Sequence, residues 1–366
     1  MVGIDQVLEK LATVIDPDLK KDIVSMGMIK DLELNSGNLK FTLELTTPAC
    51  PFNDEIEQDV RNAIDELGFK DYDMKVTAKV QEGRDLAADE VMATVKNVIA
   101  VASGKGGVGK STVSLNLALA LAKTGAKVGL LDADIYGPSI PLMLGMKDAG
   151  MQVKKNDDGV SLLEPVESNG IKVISFGFFA EQEHQAAIYR GPVISGILKQ
   201  FLTQADWSNL DYLIVDLPPG TGDIPLTLAQ TIPITGILVV TTPQEVASNA
   251  AVKAIGMFEK LNVPMLGVIE NMSYFECSKC TEKHYIFGQG GAQKISEKYN
   301  LPFLGEIPLN SGIMTGSDLG KPIMLTQPDS ASANAFTSSA KNIAAQCSIQ
   351  AIRMQEEMEA EAPAPT

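Results

Sequence analysis

The stretch that most constrains this 366-residue chain runs from Val98 to Leu121, VIAVASGKGGVGKSTVSLNLALAL. A short unbroken apolar run reads as a buried strand, and the pattern from Val113 to Lys123 reads as a helix. Between them, Gly104-Lys105-Gly106-Gly107-Val108-Gly109-Lys110-Ser111 matches G-x-x-x-x-G-K-[ST]. Glycines in such a loop let backbone N–H groups close around phosphate oxygens, while the helix behind presents its positive N-terminal end. Lys110 is then placed for β- and γ-phosphates, and the Ser111 hydroxyl for Mg²⁺, which takes oxygen ligands and keeps most of its waters.

The order strand, glycine-rich loop, helix is repeated in looser form downstream. Short apolar runs at KVGLLDAD, KVISFGF, YLIVDLP, GILVVTT and MLGVIEN are separated by longer helical or turn-rich stretches. Runs of this kind are the signature of buried parallel strands, so the chain is expected to form a doubly wound, mostly parallel α/β sheet of the P-loop NTPase class. That domain is assigned to residues 97–345. Before it, helical spacing at Val7, Leu8, Leu11 and Ile15, strand alternation at Leu39, Phe41, Leu43 and Leu45, a helix through Ile56, Val60 and Ile64, and alternation at Met74-Val76-Ala78-Val80 predict a small α+β domain over residues 1–80. The polar run 81–96 is read as a linker and the acidic, Pro-ended stretch 346–366 as a disordered tail.

Two acidic positions complete the phosphate site. LLDAD puts Asp132 and Asp134 at the C-terminal end of a strand, where ligands of open α/β sheets bind, and a carboxylate there can orient an attacking water. YLIVDLPPGTGD ends its strand in Asp216, the expected acidic group for the water shell of Mg²⁺, and continues into a tight loop in which the Gly220 N–H can meet a γ-phosphate and be released on hydrolysis.

GKGGVGKS carries a second lysine that the general pattern does not require. In this the loop resembles the deviant P-loop of the dimeric ATPases that include MinD, ParA and the nitrogenase iron protein. The resemblance implies that Lys105 reaches across a homodimer to the partner's nucleotide. It also implies that Asp134 lies in the first switch segment and positions water, that Asp132 is its structural partner, and that Asn271 and the Pro308 region read the base. Nucleotide binding is accordingly expected at Gly104 through Thr112 and at Asn271, with ATP and Mg²⁺ as cofactors and Lys105, Lys110 and Asp134 as the catalytic group.

The four cysteines, Cys50, Cys277, Cys280 and Cys347, are too few and too scattered for a disulfide framework. Cys277-Ser278-Lys279-Cys280 brings two thiols to one soft metal centre, but zinc or an iron–sulfur cluster needs about four ligands. A two-fold dimer, as Lys105 suggests, would supply four thiolates around its axis. His284 completes C-x2-C-x3-H, part of a zinc pattern without a second ligand pair, and His184 sits in a polar stretch that reads as solvated.

GKGGVGKST, DADIYGPS, VDLPPGTGD and NMSYFECSKC together are similar to the Mrp/ApbC-type iron–sulfur cluster carrier ATPases over essentially all of residues 97–345. MinD and ParA lack the cysteine pair. The resemblance implies a [4Fe–4S] cluster bridging two subunits through Cys277 and Cys280, received from an upstream assembly scaffold and passed to apoproteins, with ATP hydrolysis coupled to that handling. Ile15-Asp16-Pro17-Asp18-Leu19 and Thr46-Thr47-Pro48-Ala49-Cys50-Pro51 are similar to the small domain fused to bacterial carriers and found in other iron–sulfur assembly proteins. Cys50, just ahead of a helix, reads either as a reactive or transiently metal-binding thiol favoured by the positive helix end, or as a small buried residue.

The alternatives are a MinD- or ParA-like spatial switch and an ATPase scaffold with structural zinc. With 30 Lys and Arg against 46 Asp and Glu, the formal charge of −16 opposes nucleic acid and anionic lipid as partners. The N-terminus lacks a basic segment followed by an apolar one, and no run of 18 apolar residues occurs, so the expected location is the cytoplasm.

Overall fold

The computed structural model describes residues 2–35, 37–84, 92–155, 159, 161–179, 191–277 and 279–361. The chain divides into two compact units, Met1–Gln81 with Ala344–Thr366, and Glu82–Ile343. Residues 85–91 of the sequence-read linker and His184 lie outside the described residues.

In the first unit, α1 (Ile4–Leu11) is followed by β1 (Ile29–Asn35), β2 (Asn38–Leu45), α2 (Asn53–Glu66) and β3 (Tyr72–Ala78). The sheet order is β1-β2-β3, with β1 antiparallel and β3 parallel to β2. The alternation of β2 buries Leu39, Phe41, Leu43 and Leu45, and these meet Val7 and Leu11 of α1 and Ile56, Val60 and Ile64 of α2.

The second unit opens with β4 (Val95–Ala102), α3 (Lys110–Lys123), β5 (Val128–Asp132) and α4 (Ile140–Met143), then β6 (Gln152–Lys155), β7 (Ser161–Glu164), β8 (Val166–Ser168) and β9 (Ile171–Ser175). It continues with α5 (Gly191–Thr203), β10 (Leu210–Asp216), α6 (Asp223–Thr231), β11 (Gly236–Thr241), α7 (Glu245–Lys260), β12 (Met265–Glu270) and the short pair β13 (Phe275–Glu276) and β14 (Lys283–His284). The last elements are α8 (Gly291–Tyr299), β15 (Phe303–Glu306), α9 (Ser311–Asp318), α10 (Ile323–Thr326) and α11 (Ala331–Glu361), whose residues from Ala344 belong to the first unit.

An eight-stranded sheet runs in the order β15-β12-β11-β4-β10-β5-β9-β8, parallel throughout except for β8 at one edge. All six apolar runs read from the sequence are strands of it. Because β4 lies between β11 and β10, the chain leaves β4 toward β5 on one side and later crosses back to β11 on the other. This is the switch point at which open α/β sheets bind ligands beyond the carboxyl ends of their strands. Residues 113–121 of α3 are all buried, so this helix is covered on every side and holds its N-terminus at that switch point.

The chain's end differs from the expected disordered tail. Helix α11 runs to Glu361, burying Ala344, Ala345, Cys347 and Ala351, and Lys21 pairs with Glu356. The Glu residues that suggested solvation are good helix formers, and the buried small residues anchor the helix that carries them. Among the described residues no helix is long and apolar enough to cross a membrane.

Candidate functional site

The phosphate loop joins β4 to α3, and its backbone explains its glycines. Gly109, the residue before α3, is left-handed at φ +79°, and a Cβ there would lie 2.3 Å from Nδ2 of Asn271. Gly104 approaches α7 so closely that a Cβ would fall 2.0 Å from the carbonyl carbon of Ala250. The loop is thus wedged between α7 and the loop after β12, at the end of α3 whose first-turn N–H groups have no acceptor within the helix.

Lys105 through Thr112, Asp134 and Asn271 line one cavity of about 460 Å³. The lining also includes apolar Pro308, Leu309, Ile313 and Met314, with polar Asn310, Ser317 and Asp318 from the same stretch. A donor-rich loop and apolar side chains lining one cavity suit a nucleotide, whose phosphates need donors and whose base needs apolar contact. Gly104 alone of the loop residues does not line it, being turned to α7.

Beneath the loop is a buried ionic cluster. Lys110, 6% exposed, places Nζ 2.8 Å from Oδ1 of the fully buried Asp216, and the Ser114 Oγ–H donates to the same oxygen at 2.6 Å. Oδ2 of Asp216 is buried with no partner among the described residues. A buried carboxylate oxygen left unpaired is costly unless something binds there. The adjacent Ser111 hydroxyl, 3.5 Å from Lys110 Nζ, makes this a site whose donor set fits a Mg²⁺ ion and its waters.

Asp132 is fully buried beside Asp216, with Oδ2 accepting from Ser175 Oγ at 2.8 Å and from the Ile140 N–H at 3.3 Å. Burial, reinforced by the Asp216 carboxylate, pushes its pKa up to about 7. Its Oδ1 accepts the Asp134 N–H at 3.2 Å, so Asp132 fixes the backbone from which Asp134 projects. The partly buried Asp134 has its pKa raised by burial, against the lowering influence of Lys110. It also lines a second cavity of about 490 Å³ with Tyr136 and Pro218.

Two residues read from the sequence hold the loop in ways the pattern did not reveal. Asn271 Nδ2 donates to the Val108 carbonyl at 2.7 Å, making the side chain a brace of the phosphate loop as well as a wall of the cavity. The Gly220 N–H donates to the Ser103 carbonyl at 2.8 Å, so it meets a γ-phosphate only by giving up that bond. Sequence alone shows neither bond, since both depend on which loops the sheet brings together.

The cysteine pair lies outside the cavity, in the hairpin of β13 and β14. Phe275 pairs with His284 and Glu276 with Lys283, and the Cys277 N–H donates to the Glu282 carbonyl at 3.0 Å. Cys280 is exposed and Cys277 half-buried. Backbone N–H groups of Lys279 and Cys280 hold the Cys277 thiol below its ordinary value. Among the described residues no three His, Cys, Asp or Glu side chains gather as a metal site.

Cys50 departs from the reactive-thiol reading. It is 5% exposed, the Phe52 N–H donates to its sulfur at 3.4 Å, and burial, with Asp18 and Asp16 nearby, pushes its pKa up to about 12. Desolvation and two carboxylates outweigh the helix end. A thiol raised in this way is almost wholly protonated at pH 8. Iodoacetamide at pH 8 is therefore expected to label Cys277 and Cys280 of the folded protein and to leave Cys50 and Cys347 unlabelled until denaturant is added. Equal labelling of Cys50 in peptide mass spectrometry would contradict its burial.

Residues 94–344 match the family model described as the NUBPL iron-transfer P-loop NTPase, and residues 4–71 match that of an iron–sulfur cluster assembly protein. The chain is 48% identical to the iron–sulfur cluster carrier protein of Synechocystis over 96% of its own length and all of the relative's. It is 45% identical to the protein of the same name from Deinococcus radiodurans, over 95% of this chain and 97% of that one. Among solved structures, a nucleotide-binding protein from Archaeoglobus fulgidus in complex with ADP, with cobalt found, is 43% identical. That comparison covers 65% of this chain and 90% of that one, with a TM-score of 0.54.

Proposed function

The chain belongs to the iron–sulfur cluster carrier family of P-loop NTPases, and on that premise we propose that it works as a homodimer that hydrolyses ATP, receives a [4Fe–4S] cluster and hands it to apoproteins. The observation that carries this reading is the hairpin of Cys277 and Cys280: two accessible thiols with no third metal-ligating side chain gathered beside them among the described residues. Two copies supply the four thiolates that such a cluster takes.

In the ATP half of the cycle, loop N–H groups and Lys110 hold the β- and γ-phosphates; Ser111 and Asp216 would hold a Mg²⁺ ion through its waters, and the ion would supply neutralisation of phosphate charge. Asp134 orients water toward the γ-phosphorus; the bond to the β,γ-bridging oxygen breaks, and the water's protons pass to phosphate and solvent. Lys105, half-buried at the cavity edge, reaches the partner's nucleotide, and Asn271 and Pro308 border the base. The exchange of the Gly220 N–H between Ser103 and the γ-phosphate is the switch that reports the nucleotide state. The first unit docks the scaffold or the recipient, in keeping with its match to an assembly-protein model.

The test is transfer. Protein loaded anaerobically with cluster and mixed with an apoenzyme that requires [4Fe–4S] is expected to restore that enzyme's activity in the presence of an iron chelator that intercepts free iron. Restoration only when the chelator is omitted would show release to solution and contradict a carrier role.

A further inference from the structure

Four consecutive residues, Glu270 at the end of β12 and the three that follow it, touch both the phosphate loop and the base of the cysteine hairpin. Glu270 is fully buried. Its Oε1 accepts the Ser273 Oγ–H at 2.7 Å and its Oε2 accepts the Ala292 N–H at 2.8 Å. Ser273 is the residue from which the chain leaves for the hairpin, and Ala292 lies in the first turn of α8, where the chain returns. Helix α8 begins after Gly290, which has no side chain to cap it, so the distant carboxylate satisfies one of its open donors. One buried side chain therefore clamps both feet of the hairpin that carries Cys277 and Cys280.

The next residue, Asn271, holds the Val108 carbonyl of the phosphate loop at 2.7 Å. Met272 follows at φ +54°, a left-handed conformation disfavoured for a long side chain, and lines the nucleotide cavity. The backbone around the segment is tied down, with Asn271 N–H to Thr241, Ser273 N–H to Ile307 and Ile307 N–H to Glu270. Met272 is thus a strained residue set between the brace of the phosphate loop and the first foot of the hairpin, a place where a shift of the loop can pass to the hairpin.

We infer that Glu270, through its clamp on Ser273 and Ala292, is the positioning residue that couples nucleotide occupancy to the disposition of Cys277 and Cys280. This deepens the carrier reading by giving it a route between its two sites. The route itself requires no cluster, so its failure is separable from failure of that reading.

The experiment uses the full chain without cluster and reads the iodoacetamide labelling rate of Cys277 and Cys280 at a single pH, with and without saturating Mg-ADP, alongside ADP affinity by calorimetry. In the wild type, ADP is expected to change the rate by about fivefold or more, the range of ordinary site-to-site coupling. Glu270→Ala is expected to bind ADP with unchanged affinity and to lose that change. Glu270→Gln is expected to keep it, because the amide oxygen can accept from Ala292 while the amide nitrogen donates to the turned Ser273 hydroxyl. Should Glu270→Ala fail to fold, Ser273→Ala decides, since it frees one foot only and is expected to lose most of the response. A wild type whose labelling ignores ADP would overturn the inference. So would a folded Glu270→Ala or Ser273→Ala that responds as the wild type does, or one that loses ADP affinity together with the response.

Discussion

Lys110→Ala is expected to cut ATP hydrolysis by about a hundredfold or more, the usual cost of removing a charged group aimed at transition-state charge. The geometry adds a second effect. Lys110 Nζ neutralises Asp216 at 2.8 Å in a site where both side chains are almost wholly buried. Removing it leaves a carboxylate with one oxygen already unpartnered and the other held by Ser114 alone. Breaking a buried pair in this way costs about 3–5 kcal/mol. The variant should therefore melt lower than the wild type and gain little thermal protection from Mg-ATP. Its cysteine hairpin is built on different contacts, so cluster uptake should persist. Wild-type turnover in Lys110→Ala, measured as phosphate release, would remove Lys110 from the reaction.

Cys277→Ser/Cys280→Ser is the converse experiment and the one with the largest effect on cargo. Serine oxygens are hard ligands in place of soft thiolates, and a two-chain site would lose all four sulfurs at once. After anaerobic incubation with iron and sulfide the double variant is expected to show no cluster absorbance, while ATP binding and melting temperature stay at wild-type values, since both cysteines lie on an open hairpin away from the cavity. Either single variant leaves two thiolates per pair of chains and should hold at most a labile cluster. Cluster uptake by the double variant equal to that of the wild type would place the metal elsewhere on the chain.

Much of this was readable from residue order, because the features concerned are local. A strand, a glycine loop and a helix are adjacent in sequence, and the strand-terminal positions of Asp132 and Asp216 follow from where apolar runs stop. The same holds for β2, whose alternation shows directly which residues are buried. Strand β1 has no such signature, because a register shift between Lys30 and Glu33 breaks its alternation and the strand is mostly exposed. The helical course of residues 346–361 was hidden by composition, since Glu-rich sequence reads as solvated whether or not small buried residues anchor it. Nothing in the order of residues shows the bonds that Glu270 makes to Ser273 and Ala292. A Glu at the end of an apolar strand acquires meaning only once Ala292, 22 residues away, is found against its other oxygen. Cys50 shows the opposite failure, a helix-end pattern whose local promise is outweighed by burial and by Asp16 and Asp18, which come from a distant part of the sequence.

The claim on which the rest depends is that one chain holds half a site and two chains complete it. Its most direct test is anaerobic analysis of iron, sulfide and zinc on the reconstituted wild type, combined with the oligomer mass of the same sample by light scattering. A single cluster of about four iron and four sulfide per two chains, in a particle of dimer mass, is the expected result. Zinc in place of iron, or a full cluster on a particle of monomer mass, would contradict it.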